Sequence, residues 1–214
     1  MLFGYPVAAT AENWLHECIC AMVTAVHTSL DAGAQPSTWP NIIPAACRGR
    51  LRSRIGLRDR LAEYTAAAQG LTPAERTRVL TCMVQQNAIA DLVSCASDCE
   101  CLAELPTTIQ APAKNLFLFG FSLLTDLGVR DLHYSAIYNA TSYHLCPFCG
   151  LEYFDAPGAP REDLDHYLAS SRYAFAAANL RNLSPMGMKC NERYKLAGDI
   201  LRDATGNRRR SFDP

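Results

Sequence analysis

The sequence predicts a mostly α-helical protein, in which an N-terminal helical bundle (residues 1–140) precedes a smaller α+β domain (residues 141–214). Two observations predict this division. Apolar residues recur at helical spacing through residues 11–140. After Asn139 the chain changes to paired cysteines, aromatic residues, glycines and prolines, which are typical of short strands and turns. The 214 residues are enough for one large domain or two small ones.

The composition is that of a globular protein. Hydrophobic residues make up 49% of the chain and charged residues 19%. The net charge of -1 gives no overall attraction to a polyanion, although a nucleic-acid-binding protein can confine its positive charge to one face. The N-terminus lacks the pattern of a secretory signal, and the longest apolar run, residues 116–124, is shorter than the roughly 20 residues of a membrane span. We therefore expect a cytoplasmic protein without a membrane partner, with its ten cysteines reduced.

The predicted helices of the bundle have recognisable ends. The second ends at Gly70, and the third begins at Thr72 as N-cap, with Pro73 at its first position and Glu75 completing a capping box. The apolar stripe of the third helix includes Leu80, Met83, Val84 and Leu92. The second predicted helix covers residues 48–69, and the first, fourth and fifth cover residues 14–30, 112–127 and 131–139. Helical character returns at residues 191–202.

Two motifs early in the smaller domain carry chemically active residues. Residues 146–150 (CPFCG) form a Cys-x-x-Cys turn, which aims two thiolates at one tetrahedral metal. Gly150 can adopt the strained backbone conformation of this tight turn without steric cost. In residues 164–168 (LDHYL), Asp165 and His166 point to opposite faces of an extended segment, so that one can hold a cation while the other faces water. An isolated Asp-His pair is more often a surface pair without a task.

Two further motifs follow, at residues 179–186 (NLRNLSPM) and 190–195 (CNERYK). In their order, the four motifs resemble the HNH endonuclease family, whose pattern is Cys-x-x-Cys, Asp-His-Tyr-Leu-Pro-Lys-Ser, Asn-Leu-x-Pro and Cys-Asn-x-x-Lys. The match covers residues 144 to about 200. The resemblance implies a ββα-metal fold, two strands and a helix around one divalent ion, and hydrolysis of DNA. It also implies a component of a larger machine, such as a bacterial antiviral defence or mobile-element system.

The resemblance assigns a role to each matching residue. His166 is the general base that activates water. Asn182 hydrogen-bonds the His166 ring from the opposing strand and fixes its tautomer, with Asn179 as the rival for this position. Asp165 and Asn191 hold the catalytic ion, Mg²⁺ or Mn²⁺, because their oxygen atoms suit a hard cation. The ion neutralises the scissile phosphate and stabilises the leaving 3′-oxygen.

A structural zinc site would use Cys146, Cys149 and Cys190. Zinc-bearing members of the family carry a second Cys-x-x-Cys before the final asparagine, but its first position is Gly187 here. Three thiolates do not close a structural zinc site, which takes four ligands. His144 is the candidate fourth ligand. Either the fourth ligand is unconventional or the site is vestigial and packed.

Basic residues near the C-terminus are candidates for contact with DNA. Arg208, Arg209 and Arg210 follow the helix that begins near Asn191, and Lys195 lies within it. Contacts of these side chains with phosphates would provide affinity without reading sequence.

A second basic group lies in the helical bundle. Six arginines occur between residues 48 and 60, and Arg50, Arg54 and Arg58 are predicted to share one helical face. This face is either solvated or paired with an acidic partner surface. We take it, with the bundle, as the candidate docking surface for a protein partner.

Five other cysteines, Cys18, Cys20, Cys95, Cys99 and Cys101, are interpreted as small core residues rather than metal ligands.

A second class of function stays open beside the enzyme. The ββα fold can also survive as a non-catalytic module that binds nucleic acid or protein, and the missing zinc cysteine favours this alternative. Retention of Asp165, His166, Asn182 and Asn191 favours the enzyme, because a scaffold needs none of the four.

Overall fold

The structure is a computed structural model that describes residues 5–159, 164–195 and 198–211, and only the backbone of residues 194–195. Its helices are α1 (Trp14–Asp31), α2 (Ala45–Leu51), α3 (Ile55–Gln69), α4 (Pro73–Asn87), α5 (Ile89–Val93), α6 (Thr107–Asp126) and α7 (Val129–Ala140). Strands β1 (Leu164–His166) and β2 (Leu183–Pro185) pair antiparallel, and Cys190–Lys195 forms a short π-helical segment. The prediction of a mostly helical chain is confirmed. Within the described ranges, no helix combines the length and apolar character needed to cross a membrane.

The local signals of the bundle act as the sequence predicts. The apolar stripe of α1 is buried, including Leu15, Met22 and Val26. At the start of α4, the hydroxyl of Thr72 accepts a hydrogen bond from the Glu75 N–H (3.3 Å), and the Glu75 carboxylate accepts one from the Thr72 N–H (2.8 Å). This reciprocal pair satisfies two N–H groups that an α-helix leaves without partners at its start.

Two predicted helices have different limits in the structure. The predicted helix over residues 48–69 is divided into α2 and α3, because the chain turns at residues 52–54 and the Arg52 carbonyl accepts a hydrogen bond from the Trp39 indole (2.9 Å). Helix α6 begins five residues earlier than predicted, directly after Pro106.

The apolar stripe predicted for the third helix is only partly correct. Val84 is 67% exposed, and Leu92 lies on the separate helix α5 rather than on α4.

The helix predicted over residues 191–202 is shorter in the structure. Helical backbone covers Cys190–Lys195, residues 196–197 lie outside the described part, and residues 198–202 are not helical. The Asp199 carboxylate accepts hydrogen bonds from the Leu201 N–H (3.0 Å) and the Tyr173 hydroxyl (2.9 Å). A side chain that caps its own backbone in this way competes with helical hydrogen bonds.

One hydrophobic core joins the helices to the segment that contains the two strands. The rings of Phe117 on α6 and Phe175 meet edge to face at 5.2 Å. The carbonyl of Leu183 in β2 lies 2.9 Å from the Tyr5 hydroxyl and 3.1 Å from Nε2 of His133 on α7. The strands are therefore held against the helical layer, and a domain boundary near residue 140 stays a prediction.

Candidate functional site

The strand pair places the predicted acid and base on opposite faces. Asp165 is paired with Ser184 and His166 with Leu183. His166 is buried and Asp165 is half-buried, as the alternation of side chains along a strand requires. The extended Asp-His segment that the sequence predicts is present in the structure.

The His166 ring is held by a backbone carbonyl. Its Nε2 lies 3.0 Å from the Ala177 carbonyl oxygen. Because a carbonyl only accepts, Nε2 carries a proton and Nδ1 is the basic nitrogen of the neutral ring. The ring also packs against Phe121 at 4.4 Å, and the residue is 9% exposed. Its environment therefore selects one tautomer.

Asn182 bonds the backbone rather than the His166 ring, in contrast to the expectation. Its side chain is fully buried, its Oδ1 accepts from the Leu168 N–H (2.6 Å), and its Nδ2 donates to the carbonyls of Leu168 and Ala176 (both 3.1 Å). Both amide hydrogens are thus used on the loop between β1 and β2. The same loop carries Ala177, whose carbonyl oxygen lies next to the His166 ring.

Asn179, the rival for the same position, is tied to the helical layer. Its Nδ2 donates to Oδ1 of Asn87 (2.9 Å), and its Oδ1 accepts from the Arg181 N–H (3.0 Å) and from Nδ2 of Asn13 (3.3 Å). It anchors the start of the segment that leads into β2.

Asp165 and Asn191 lie on different elements of the site. Asp165 is in β1, and Asn191 is in the first turn of Cys190–Lys195, where its N–H donates to the Gly187 carbonyl (3.0 Å). Both side chains are half-buried. A shared catalytic ion between them stays a prediction.

The three predicted zinc cysteines converge. The sulfur atoms of Cys146, Cys149 and Cys190 lie within 4.8 Å of one another, although Cys190 is distant in sequence. Gly150 adopts a φ of 64°, and its N–H donates to the Cys146 carbonyl (2.8 Å). This positive φ lets the chain reverse directly after the second cysteine, as a metal-binding knuckle requires.

The cluster has the chemistry of a zinc site. Sulfurs around a tetrahedral zinc lie about 4 Å apart, given Zn–S bonds of about 2.3 Å. Although burial opposes ionisation, hydrogen bonds from the N–H groups of Glu152 and Leu151 and from the other two thiols lower the pKa of Cys149. Burial and interactions with the thiols of Cys149 and Cys146 raise the pKa of Cys190. The cluster could therefore hold a metal such as zinc, and within the described ranges no other group of acidic, cysteine and histidine side chains has this geometry.

His144 does not reach the sulfur cluster, in contrast to the expectation. Its ring stacks on Tyr138 at 3.7 Å with an interplanar angle of 3°, and its Nε2 lies 2.9 Å from the Tyr138 carbonyl oxygen. The residue also has a positive φ of 45°, which turns the side chain toward α7. His144 is therefore not placed as a ligand of this cluster.

Arg208 is a structural residue rather than an exposed phosphate ligand. Its side chain is 14% exposed and forms an ion pair with Asp98 (3.2 Å). Its guanidinium donates to the carbonyls of Leu201 (2.9 Å), Leu92 and Ser97 (both 2.7 Å). These contacts tie the C-terminal segment to the chain around α5.

The neighbouring basic residues are more accessible. Arg209 donates to the Ile200 carbonyl (3.1 Å) and Arg210 to the Ser94 carbonyl (3.3 Å), and both are exposed. The side chain of Lys195 lies outside the described residues.

The arginines of the helical region do not share one face. Arg50 lies on α2 and covers the Trp14 ring at 4.9 Å, whereas Arg54 and Arg58 belong to the start of α3. Arg54 pairs with Asp126 at 3.7 Å. The turn between α2 and α3 separates Arg50 from Arg54 and Arg58.

The other cysteines divide by burial. Cys18 and Cys99 are buried in the core, as predicted, and Cys20 and Cys101 are half-buried beside it. Cys95 is exposed with a φ of 65°, so its interpretation as a core residue is wrong.

Comparison of the chain with protein families, curated proteins and solved structures gives no match. Sequence reasoning missed two groups of the site, the Ala177 carbonyl next to the His166 ring and the Glu152 carboxylate that lies against Gly187 and the Lys189 N–H. No side-chain pattern marks a backbone carbonyl. Glu152 was detectable as an acid three residues after Cys149.

Proposed function

We propose that this chain is a metal-dependent HNH-type endonuclease that hydrolyses phosphodiester bonds of DNA. The observation that carries the proposal is the arrangement of the four motifs. Asp165 and His166 lie on a strand paired with the strand that follows Asn182, and the next helical segment begins at Cys190, whose sulfur meets the Cys-x-x-Cys turn. Two antiparallel strands and then a helix, in this order, are the elements of a ββα-metal site.

His166 supplies the base in this proposal. Nδ1 accepts a proton from the water that attacks the phosphorus atom. The Ala177 carbonyl, which already accepts from Nε2–H, then stabilises the imidazolium that forms. A positioned base of this kind contributes about 10²- to 10⁴-fold to the rate.

Asp165 and Asn191 are the proposed ligands of the catalytic ion. A carboxylate and an amide oxygen are donors that Mg²⁺ or Mn²⁺ accepts. When bound, the ion supplies positive charge to the scissile phosphate and to the leaving oxygen. Asn182 positions His166 by holding the loop that contains Ala177.

The remaining partners belong to the same proposal. Arg209 and Arg210 are exposed cations for the phosphates of DNA, together with Lys195. The helical region is the candidate docking surface for a protein that controls the nuclease in the cytoplasm, as in a defence or mobile-element complex.

The test is nicking of a supercoiled plasmid by the purified full chain with Mg²⁺ or Mn²⁺. His166→Gln removes the base but keeps an amide that can donate to Ala177, so it should fold and lose at least about 10²-fold in rate. Asp155→Asn is a matched control, because Asp155 is exposed and its carbonyl, rather than its carboxylate, accepts from the Tyr134 hydroxyl. Undiminished nicking by His166→Gln would contradict the mechanism.

One observation favours the alternative of a non-catalytic module. His166 is only 9% exposed, which leaves little of it for contact with a substrate. For such a module, the native chain should shift DNA or capture a protein partner without cleavage under any divalent ion, and His166→Gln should bind equally well.

A further inference from the structure

The position of the missing zinc cysteine is filled by another side chain. A Cβ atom added at Gly187 would fall on the carboxylate and Cγ of Glu152. The space that a cysteine side chain would take at position 187 is therefore already occupied by an acidic group.

Glu152 is connected to both parts of the sulfur cluster. Its N–H donates to Sγ of Cys149 (3.4 Å), and its carbonyl accepts from the Cys146 N–H (2.7 Å). Its carboxylate accepts from the Lys189 N–H (3.2 Å), one residue before Cys190. Lys189 lies two residues after Gly187, the position of the missing first cysteine. In a Cys-x-x-Cys turn the N–H at this place faces the sulfur of the first cysteine, whereas here it faces the Glu152 carboxylate.

We propose that Glu152 is the fourth ligand of a zinc site formed with Cys146, Cys149 and Cys190. Carboxylate oxygens bind zinc at about 2.0–2.2 Å, and a fourth ligand closes the tetrahedron that three thiolates leave open. A carboxylate also carries the same charge as the thiolate that it replaces. The inference concerns a structural site and does not depend on the proposed hydrolysis.

Binding requires a movement of the carboxylate. The group of ligand atoms within 4.8 Å of one another contains the three sulfurs but not the Glu152 oxygens. The proposal therefore requires the Glu152 side chain to rotate from the Lys189 N–H toward the sulfurs when zinc binds. The backbone of Glu152 needs no change, because its two hydrogen bonds to the knuckle already hold it in place.

The first experiment measures zinc content and the zinc coordination shell of the purified full chain. We expect one zinc per chain, and X-ray absorption should show three sulfurs at about 2.3 Å and one oxygen at about 2.0–2.2 Å. A chain without zinc, or a shell with another number of sulfurs, would overturn the proposal.

The second experiment distinguishes Glu152 from a water molecule as the oxygen ligand. Competition with a chelator should show at least about 10-fold weaker zinc binding in Glu152→Gln, which keeps the shape of the side chain but loses its charge. His144→Gln is the matched control and should bind zinc as the native chain does, because His144 faces Tyr138. Native affinity in Glu152→Gln would assign the oxygen to water and refute the proposal.

A double variant tests the exchange of ligands directly. Glu152→Ala with Gly187→Cys removes the carboxylate and places a thiol in the space that it vacates. We expect native or tighter zinc affinity and a shell of four sulfurs. If Glu152→Gln fails to fold, the double variant provides the test of the proposal instead. Failure of the double variant to bind zinc would overturn the proposal. If the native chain has the three-sulfur, one-oxygen zinc site but does not nick the plasmid, the result would count against the proposed nuclease function and not against the zinc site.

Discussion

Replacement of Asn182 by alanine should destabilise the protein strongly. The fully buried amide makes three hydrogen bonds, of 2.6, 3.1 and 3.1 Å, to the backbone of Leu168 and Ala176. Asn182→Ala leaves one buried N–H and two carbonyls without these partners, at about 1–3 kcal/mol for each buried group. Partial hydration of the vacated space reduces the sum, so we expect a loss of about 4 kcal/mol. Since domains are stable by only about 5–15 kcal/mol, this is a large fraction.

The assay is equilibrium unfolding in urea, followed by circular dichroism, for the native chain and each variant. Asn115→Ala on the exposed surface of α6 is the matched control and should change the free energy of unfolding by less than about 0.5 kcal/mol. Asn182→Asp keeps the acceptor for the Leu168 N–H but loses both donors and buries a carboxylate, so it should also be destabilised.

The reasoning would be refuted by a loss below about 1 kcal/mol in Asn182→Ala with an unchanged denaturant slope. Such a result would mean that the amide does not hold the loop between β1 and β2. The proposed positioning of His166 through Ala177 would then lose its physical basis.

Two further predictions concern the ionisable side chains of His27 and Arg208. Burial lowers the pKa of His27 from 6.5 to about 4, so the unfolded chain binds more protons between these values, and stability falls by about 1.4 kcal/mol for each pH unit from about 6 toward 4. Unfolding between pH 7 and 4.5 should depend less on pH in His27→Leu, and equal slopes would count against the assignment. Arg208→Ala should lower the free energy of unfolding by about 3 kcal/mol, because three backbone carbonyls lose their partner and Asp98 loses one ion pair and keeps the one with Arg202. The exposed Arg210→Ala should stay within about 0.5 kcal/mol, and equal effects of the two in urea would disprove the structural role of Arg208.

The elements that depend on neighbours in the chain were predictable from the sequence. The capping box at Thr72 and Glu75 involves residues three apart, and the hydrogen bonds that it predicts are present. The alternation of Asp165 and His166 follows from the period of an extended strand, and the turn at Gly150 follows from the need for a positive φ. These features are decided within a few residues.

The partners of the side chains were decided by tertiary structure. The resemblance indicated that Cys190 meets the first Cys-x-x-Cys turn, and the structure agrees, but it gave no sign that Glu152 fills the space beside Gly187. Arg208 was expected at a DNA surface, yet it is largely withdrawn from solvent because carbonyls from its own segment and from the distant chain around α5 converge on it. The hydrogen bond from Arg208 to Leu92 joins residues 116 positions apart, and the one from Tyr5 to Leu183 joins residues 178 apart. A buried polar group takes whichever partner the fold brings within about 3 Å, and the local sequence does not record which one that is.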